Sequence, residues 1–181
     1  EMTDGRIVEG ESQIPHAHGK IKRVFTTPEH PRAIQSAVDA IREADAIVLG
    51  PGSLYTSIMP NLCVPDIVQA VRTSKAPKIY ICNVMTQPGE TDDYTVSDHI
   101  RAINRQAGGK VIDFVIANNG DVDPAVLQRY VAHGSHPVMI DKKEVSQTGA
   151  TLILSNLINK ENSATHDTKK LANVLFDLIN A

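Results

Sequence analysis

The residues best suited to chemistry lie in Leu49-Gly50-Pro51-Gly52-Ser53-Leu54-Tyr55-Thr56-Ser57-Ile58-Met59-Pro60-Asn61-Leu62. Two glycines around a proline break the apolar run Ala46-Ile47-Val48-Leu49 into a turn. Ser53, Thr56 and Ser57 then bring hydroxyls of the kind that start a helix. A glycine turn feeding a helix start leaves backbone N–H groups free, and these bind anions, phosphate above all. An ordinary strand-to-helix turn capped by hydroxyls fits the same residues. On the phosphate reading, Gly50, Gly52 and Ser53 make the contacts, through backbone N–H and the serine hydroxyl, with Leu54, Thr56 and Ser57 beside them. Tyr55 either stacks on a base or sugar or packs its ring under the loop. Asn61 either meets sugar or phosphate oxygens or bonds local backbone.

Two further polar loops follow apolar runs. Lys78-Ile79-Tyr80-Ile81-Cys82 leads into Asn83-Val84-Met85-Thr86-Gln87-Pro88-Gly89-Glu90-Thr91, and Val111 to Ala117 leads into Asn118-Asn119-Gly120. Asn83 has the same two readings as Asn61. Thr86, Gln87 and Thr91 read as ligand contacts, and Gly89 as the turn former. Glu90 either holds a metal or ribose hydroxyls or sits solvated. His99 reads as structural, and His166-Asp167 either closes over the site or caps the last helix through Asp167. No Ser-His-Asp or Cys-His spacing and no zinc motif is present. His16 and His18, two apart, have no evident partner ligands for a metal.

The elements that must position these loops read in order. Arg6-Ile7-Val8 between Asp4-Gly5 and Glu9-Gly10, with Glu11 to Ile14, suggests a small N-terminal hairpin. Lys20 to Phe25 reads as a strand and Pro28 to Ala44 as a helix. A strand over Asp45 to Leu49 precedes the first loop, and Pro65 opens a helix over Asp66 to Arg72. Thr95 with Asp98 forms a capping box for Val96 to Gln106, closed by Gly108-Gly109. Asp123-Pro124 starts another helix. Pro137 to Ile140 and Thr151 to Leu154 read as strands, Asn159 to Thr168 as a loop, and Leu171, Val174, Leu175 and Leu178 stripe a last helix. Strands alternating with helices imply an α/β domain with a mainly parallel sheet. Ligands bind such sheets beyond the carboxyl ends of the strands, which is where the three loops fall.

Composition narrows the classes. The 181 residues suit one domain with a sizeable core. A net charge of -3 gives no general pull toward nucleic acid or anionic membranes. No apolar run reaches membrane-spanning length. Cys63 and Cys82 read as buried thiols in a reducing, cytoplasmic compartment. The three loops suit a phosphate-bearing ligand with hydroxyls, a nucleotide or nucleotide sugar.

Ala44 to Leu62 resembles the bacterial gluconeogenesis-factor proteins of the 2-phospho-L-lactate transferase-like superfamily (YvcK/CofD-like). So do Tyr80 to Thr91 with Tyr94 and Ser97-Asp98-His99, the opening Thr3-Asp4-Gly5 to Gly10-Glu11-Ser12, and His166-Asp167. The resemblance implies a Rossmann-like fold with helices on both faces, and a Gly-rich phosphate loop on the family's first strand. No such loop precedes residue 50, so the expectation is one incomplete domain over residues 1–181, with part of the site upstream of Glu1. For transferase members it implies a divalent metal such as Mg²⁺ and transfer of a 2-phospholactate group. For gluconeogenesis factors it implies binding of uracil nucleotide sugars and regulation of cell shape and wall growth on gluconeogenic carbon. The residues leave the oligomeric state open, a homo-oligomer included. Transferases carry Gly-Pro-Ser-Asn-Pro where this chain has Gly50-Pro51-Gly52-Ser53-Leu54. Losing the amide side chain weakens the case for transfer and leaves phosphate contact intact. A UDP-sugar-binding regulator is therefore the leading expectation, with a CofD-like transferase and a partner scaffold as alternatives.

Overall fold

The computed structural model describes residues 1–159 and 163–180. Four parallel strands form one sheet in the order β1 (Ile47–Leu49), β2 (Lys78–Ile81), β3 (Phe114–Asn118), β4 (Thr151–Ser155). Leu49 pairs with Tyr80, Ile81 with Ile116, and Asn118 with Ser155, so the carboxyl ends share one edge. The helices are α1 (Gln35–Glu43), α2 (Pro65–Thr73), α3 (Val96–Gln106), α4 (Pro124–Ala132), α5 (Lys142–Thr148) and α6 (Thr168–Ile179).

The pleat sorts the strand residues between two cores. Tyr80, Val115, Leu152 and their alternates Cys82, Ala117 and Leu154 pack with Val71 of α2, Ile100 and Ile103 of α3 and Val145 of α5. Ile79, Ile81, Phe114, Ile116 and Ile153 turn the other way, onto Leu171, Val174, Leu175 and Leu178 of α6. These near-continuous apolar strands need cover on both faces, and helices supply it. A third cluster joins Val84 and Met85 after β2 to Val126, Leu127 and Tyr130 of α4 and to Ile158 and Ala164 after β4. It lies beyond the strand ends and underpins the loops there.

Residues 1–34 depart from expectation. The small N-terminal hairpin is not formed: Met2 and Ile21 make a single antiparallel bridge, and Ile14–His16 is a 3-10 turn. Arg6 gives the reason, since its guanidinium holds the carbonyls of Ala17 and His18, at 2.9 and 3.0 Å, that a ladder would need. Lys20 to Phe25 is accordingly no strand. The first long helix starts at Gln35 rather than Pro28, because Pro28 and Pro31 push their preceding residues out of helical geometry and Ile34 is extended. Pro137 to Ile140 makes isolated bridges only, Pro137 to Met85 and Met139 to Thr95. The unexpected helix is α5, capped by Gly149 at φ 78°. Of the predicted loop Asn159 to Thr168, residues 160–162 lie outside the described residues, while Ile158 and His166 bridge across it.

The start of α3 carries a polar latch. Thr95 and Asp98 form the expected capping box. Asp141, at the start of α5, adds to it: its carboxylate accepts from the Thr95 hydroxyl at 2.7 Å, the Ser97 N–H at 3.0 Å and the Ser97 hydroxyl. Burial raises the Asp141 pKa, and the Ser97 and Thr95 hydroxyls with the Ser97 N–H more than offset this, so it stays below the usual carboxylate value. The charged form is the one these donors favour. Its contribution is therefore present above the ordinary pKa and is lost as the pH falls through the lowered one. Asp141→Ala leaves buried Ser97 without its acceptor and should cost about 1–3 kcal/mol at neutral pH in urea unfolding. The difference from wild type should shrink on acidification.

Candidate functional site

The loop after β1 turns at Gly50, whose φ is 92°. A Cβ there would stand 3.2 Å from the Ile81 carbonyl, so glycine is needed for both angle and approach. Residues Leu54–Ile58 then form a π-helical turn, followed by a 3-10 turn over Met59–Cys63. Ser53 makes no side-chain cap; its carbonyl instead accepts from the Ser57 and Ile58 N–H groups, both at 3.0 Å. The N–H groups of Gly52 and Ser53 make no hydrogen bond among the described residues. Irregular turns of this kind concentrate at functional sites.

The loop after β2 reaches across to this turn. The Gln87 Nε2–H donates to Ser53 Oγ at 2.7 Å, and the Asn83 Nδ2–H donates to Gln87 Oε1 at 2.9 Å. Ser53 Oγ thus accepts from an amide, and its own proton is left to point elsewhere. Gln87 is held in turn, its N–H donating to the Thr91 hydroxyl at 2.9 Å. Gly89, at φ 80°, lets the loop turn, and a Cβ there would strike the Pro15 carbonyl at 2.0 Å. That contact brings the N-terminal segment against the loop.

Glu90 sits at the start of the π-helical turn. Its carboxyl accepts from the Tyr55 N–H at 3.3 Å and the Thr56 hydroxyl at 3.1 Å. Burial raises its pKa above the ordinary value, and the hydrogen bonds from Thr56 and Tyr55 pull back only part of that. His166 donates its Nε2–H to the Cys82 carbonyl at 3.2 Å, and burial lowers its pKa, which keeps the ring neutral with Nδ1 as an acceptor.

Together these loops wall a cleft of about 980 Å³ at the carboxyl edge of the sheet. Gly52, Ser53, Thr56, Asn83, Thr86, Gln87 and Glu90 line it. His166 lines it as well, and the other candidates do not. Gly50 lies behind the turn, and Leu54 is fully buried in the core. Tyr55 is turned away from the cleft, its hydroxyl 2.6 Å from that of Tyr94. Ser57 is exposed, and Asn61 donates to the Ser57 carbonyl at 2.8 Å. Thr91 is buried beneath Gln87, and Gly89 forms the turn. Asn118 folds its amide onto the Gly120 N–H and carbonyl and accepts from the Leu157 N–H at 2.9 Å, while Asn119 lies exposed beside it. His99 is fully buried, with its Nδ1 on the Thr95 carbonyl at 2.8 Å. Asp167 caps α6 through the Lys169 and Lys170 N–H groups.

The cleft also holds residues to which the sequence reading gave no place in the site. Glu11, Ser12 and His16 come from the N-terminal segment, and Tyr130, His133 and Ser135 from α4 and just beyond it. Their segments carry no strand-end signal, so only the tertiary fold brings them here. Among the described residues no group of three or more His, Cys, Asp or Glu could hold a metal ion, and both Glu90 oxygens already accept hydrogen bonds. The residues present therefore do not fit a protein-held Mg²⁺ site.

Buried Glu90 gives a pH test. A raised pKa means that the folded state binds the proton more tightly, so its contribution is full at low pH and is lost as the pH rises through the raised value. The stability of wild type relative to Glu90→Gln should therefore fall as the pH rises above the ordinary value of 4.5, read by thermal unfolding across a pH series. A flat difference would contradict the burial described here.

Residues 1–158 match the family described as "2-phospho-L-lactate transferase CofD". A Nostoc sp. relative is 49% identical, over 97% of this chain and 39% of its own length. The "Gluconeogenesis factor" of Bacillus subtilis is 46% identical, over 99% of this chain and 57% of its own. A crystal structure of a UPF0052 family member from Bacillus halodurans superposes with a TM-score of 0.93 at 43% identity, covering 97% of this chain and 57% of that one. The chain thus spans 39–57% of the length of these relatives. From the family match and these likenesses, the chain belongs to the CofD family, on its gluconeogenesis-factor branch.

Proposed function

We propose that the cleft binds the phosphate groups of a nucleotide-linked sugar of the UDP-sugar class, and that this chain is the ligand-sensing part of a gluconeogenesis factor acting without turnover. The observation that carries this is the direction of the Asn83–Gln87–Ser53 hydrogen-bond chain. Ser53 is paired with an amide and not with a base. It is set to donate to an anion, whereas a nucleophile would need a proton acceptor beside it. The unbonded Gly52 and Ser53 N–H groups add two donors at the same spot. The His166 Nδ1 offers a partner for sugar hydroxyls in the cleft.

Regulation of cell shape and wall growth on gluconeogenic carbon is the cellular role that this reading adopts from the family. A cytoplasmic site accords with the free thiols of Cys63 and Cys82, and no helix among the described residues is long and apolar enough to cross a membrane.

Calorimetry with UDP-N-acetylglucosamine tests the proposal. Wild type should bind in the absence of Mg²⁺. Ser53→Ala removes a hydrogen bond to a charged group, which is worth about 1.5–3 kcal/mol, roughly a ten- to hundredfold loss of affinity. Gln87→Leu should weaken binding as well, by freeing the Ser53 proton to turn away. Full affinity in both variants would contradict the phosphate role. Metal-dependent binding of guanine nucleotides in place of UDP sugars would point to a transferase.

A further inference from the structure

A second cavity lies between α2, the C-terminal half of α3 and the crossing segment 22–30. Its volume is about 580 Å³, and it shares no lining residue with the cleft. The charge on its walls is one-sided. Lys22, Arg23, Arg72 and Arg105 line it, against Glu29 as the sole carboxylate among the described residues. That concentration occurs in a chain whose net charge is -3. Lys22 and Arg23 are partly answered by Glu1, at 2.6 and 2.7 Å.

Among the described residues no carboxylate answers Arg72 or Arg105. Arg72 donates through Nη1 to the Ala107 and Gly108 carbonyls, at 3.1 and 3.0 Å. This fixes the guanidinium and covers the negative end of α3. Its other N–H groups make no hydrogen bond among the described residues. Arg105 makes no hydrogen bond or ion pair among them at all, and its charge is felt at the Tyr55 hydroxyl. The rest of the wall mixes apolar side chains, among them Phe25, Met59 and Leu62, with polar ones, Thr26, His30, Gln69 and Gln106.

We propose that this cavity is a second ligand site, for a small organic dianion with an apolar body. The anionic group, a phosphate monoester or a pair of carboxylates, meets the guanidinium forks of Arg72 and Arg105, which match such groups in two-bond geometry. The apolar body lies along the apolar part of this lining, beside the Phe25 ring, which carries the Arg23 guanidinium over its face at 4.7 Å. A fixed Arg72 loses little side-chain freedom on binding, so the ordering cost falls mainly on Arg105.

Two probes separate the sources of the dianion: phenyl phosphate for the phosphate ester and phthalate for the dicarboxylate. Each is titrated calorimetrically into wild type, Arg105→Gln, Arg105→Lys and Ser53→Ala. Among the described residues Arg105 has no hydrogen-bond or ion-pair partner, so its replacement should leave the melting temperature nearly unchanged, which the same samples verify. The site predicts that at least one probe binds wild type and Ser53→Ala equally. That probe should lose at least about tenfold in affinity in Arg105→Gln, with partial recovery in Arg105→Lys. The probe that behaves in this way identifies the ligand chemistry. Binding of neither probe, or binding that Arg105→Gln leaves intact, overturns the proposal. Loss in Ser53→Ala alone would assign the anion to the cleft and likewise overturn it.

Discussion

One side chain holds the two halves of the cleft together. Gln87 donates to Ser53 at 2.7 Å and accepts from Asn83, so it joins the loop after β1 to the loop after β2. It can do so only because β1 and β2 run parallel, with Leu49 beside Tyr80. An antiparallel pair would send these loops to opposite edges. Gln87 is itself rigid: its carbonyl accepts from the Glu90 and Thr91 N–H groups at 3.0 and 2.8 Å, and its N–H is held by the Thr91 hydroxyl. The polarity of the Ser53 hydroxyl is thus an outcome of sheet topology, transmitted through one amide.

The same physical chemistry separates the turn proposed to take an anion from the helix starts that are closed. The N-terminus of α3 is occupied by Thr95, Asp98 and Asp141, and that of α6 by Asp167. At the π-helical turn, Glu90 already takes the Tyr55 N–H and the Thr56 hydroxyl. What remains open is the pair of N–H groups just before it, at Gly52 and Ser53. A phosphate there meets backbone donors and a hydroxyl at one spot, while the buried carboxyl of Glu90 sets a limit on how deep the charge can go.

The sheet and its helices were legible because their signals are local. Ile79 to Ile81 and Val115 to Ala117 are apolar runs that only a doubly covered strand can use, and the cap residues Thr95, Asp123 and Asp167 occupy the positions read for them. The N-terminal segment was misread because Gly5 and Gly10 look like hairpin turns, whereas the long-range bonds of Arg6 decide the path. Helix α5 has Val145 as its one buried residue, too little for a periodic stripe, although Gly149 signals its end. In the site, the two loops after β1 and β2 were read as meeting, and they do. Tyr55, Asn61 and Asn118 carry ligand-like groups, and nothing local tells that a neighbouring tyrosine, a turn carbonyl and the Leu157 N–H claim them. His16 and His133 reach the cleft from distant segments, beyond what spacing reveals, while His166, read as either closing over the site or preceding the cap of the last helix, lines it.

The central claim is that the open N–H groups of Gly52 and Ser53, with the Ser53 hydroxyl, form the phosphate contact. A crystal structure of the protein with bound UDP-N-acetylglucosamine tests it most directly. The account predicts a diphosphate oxygen within about 3 Å of Ser53 Oγ and of the Gly52 or Ser53 nitrogen, with Gln87 still donating to Ser53. A diphosphate seated elsewhere, against Arg72 and Arg105 or outside the cleft, would contradict it.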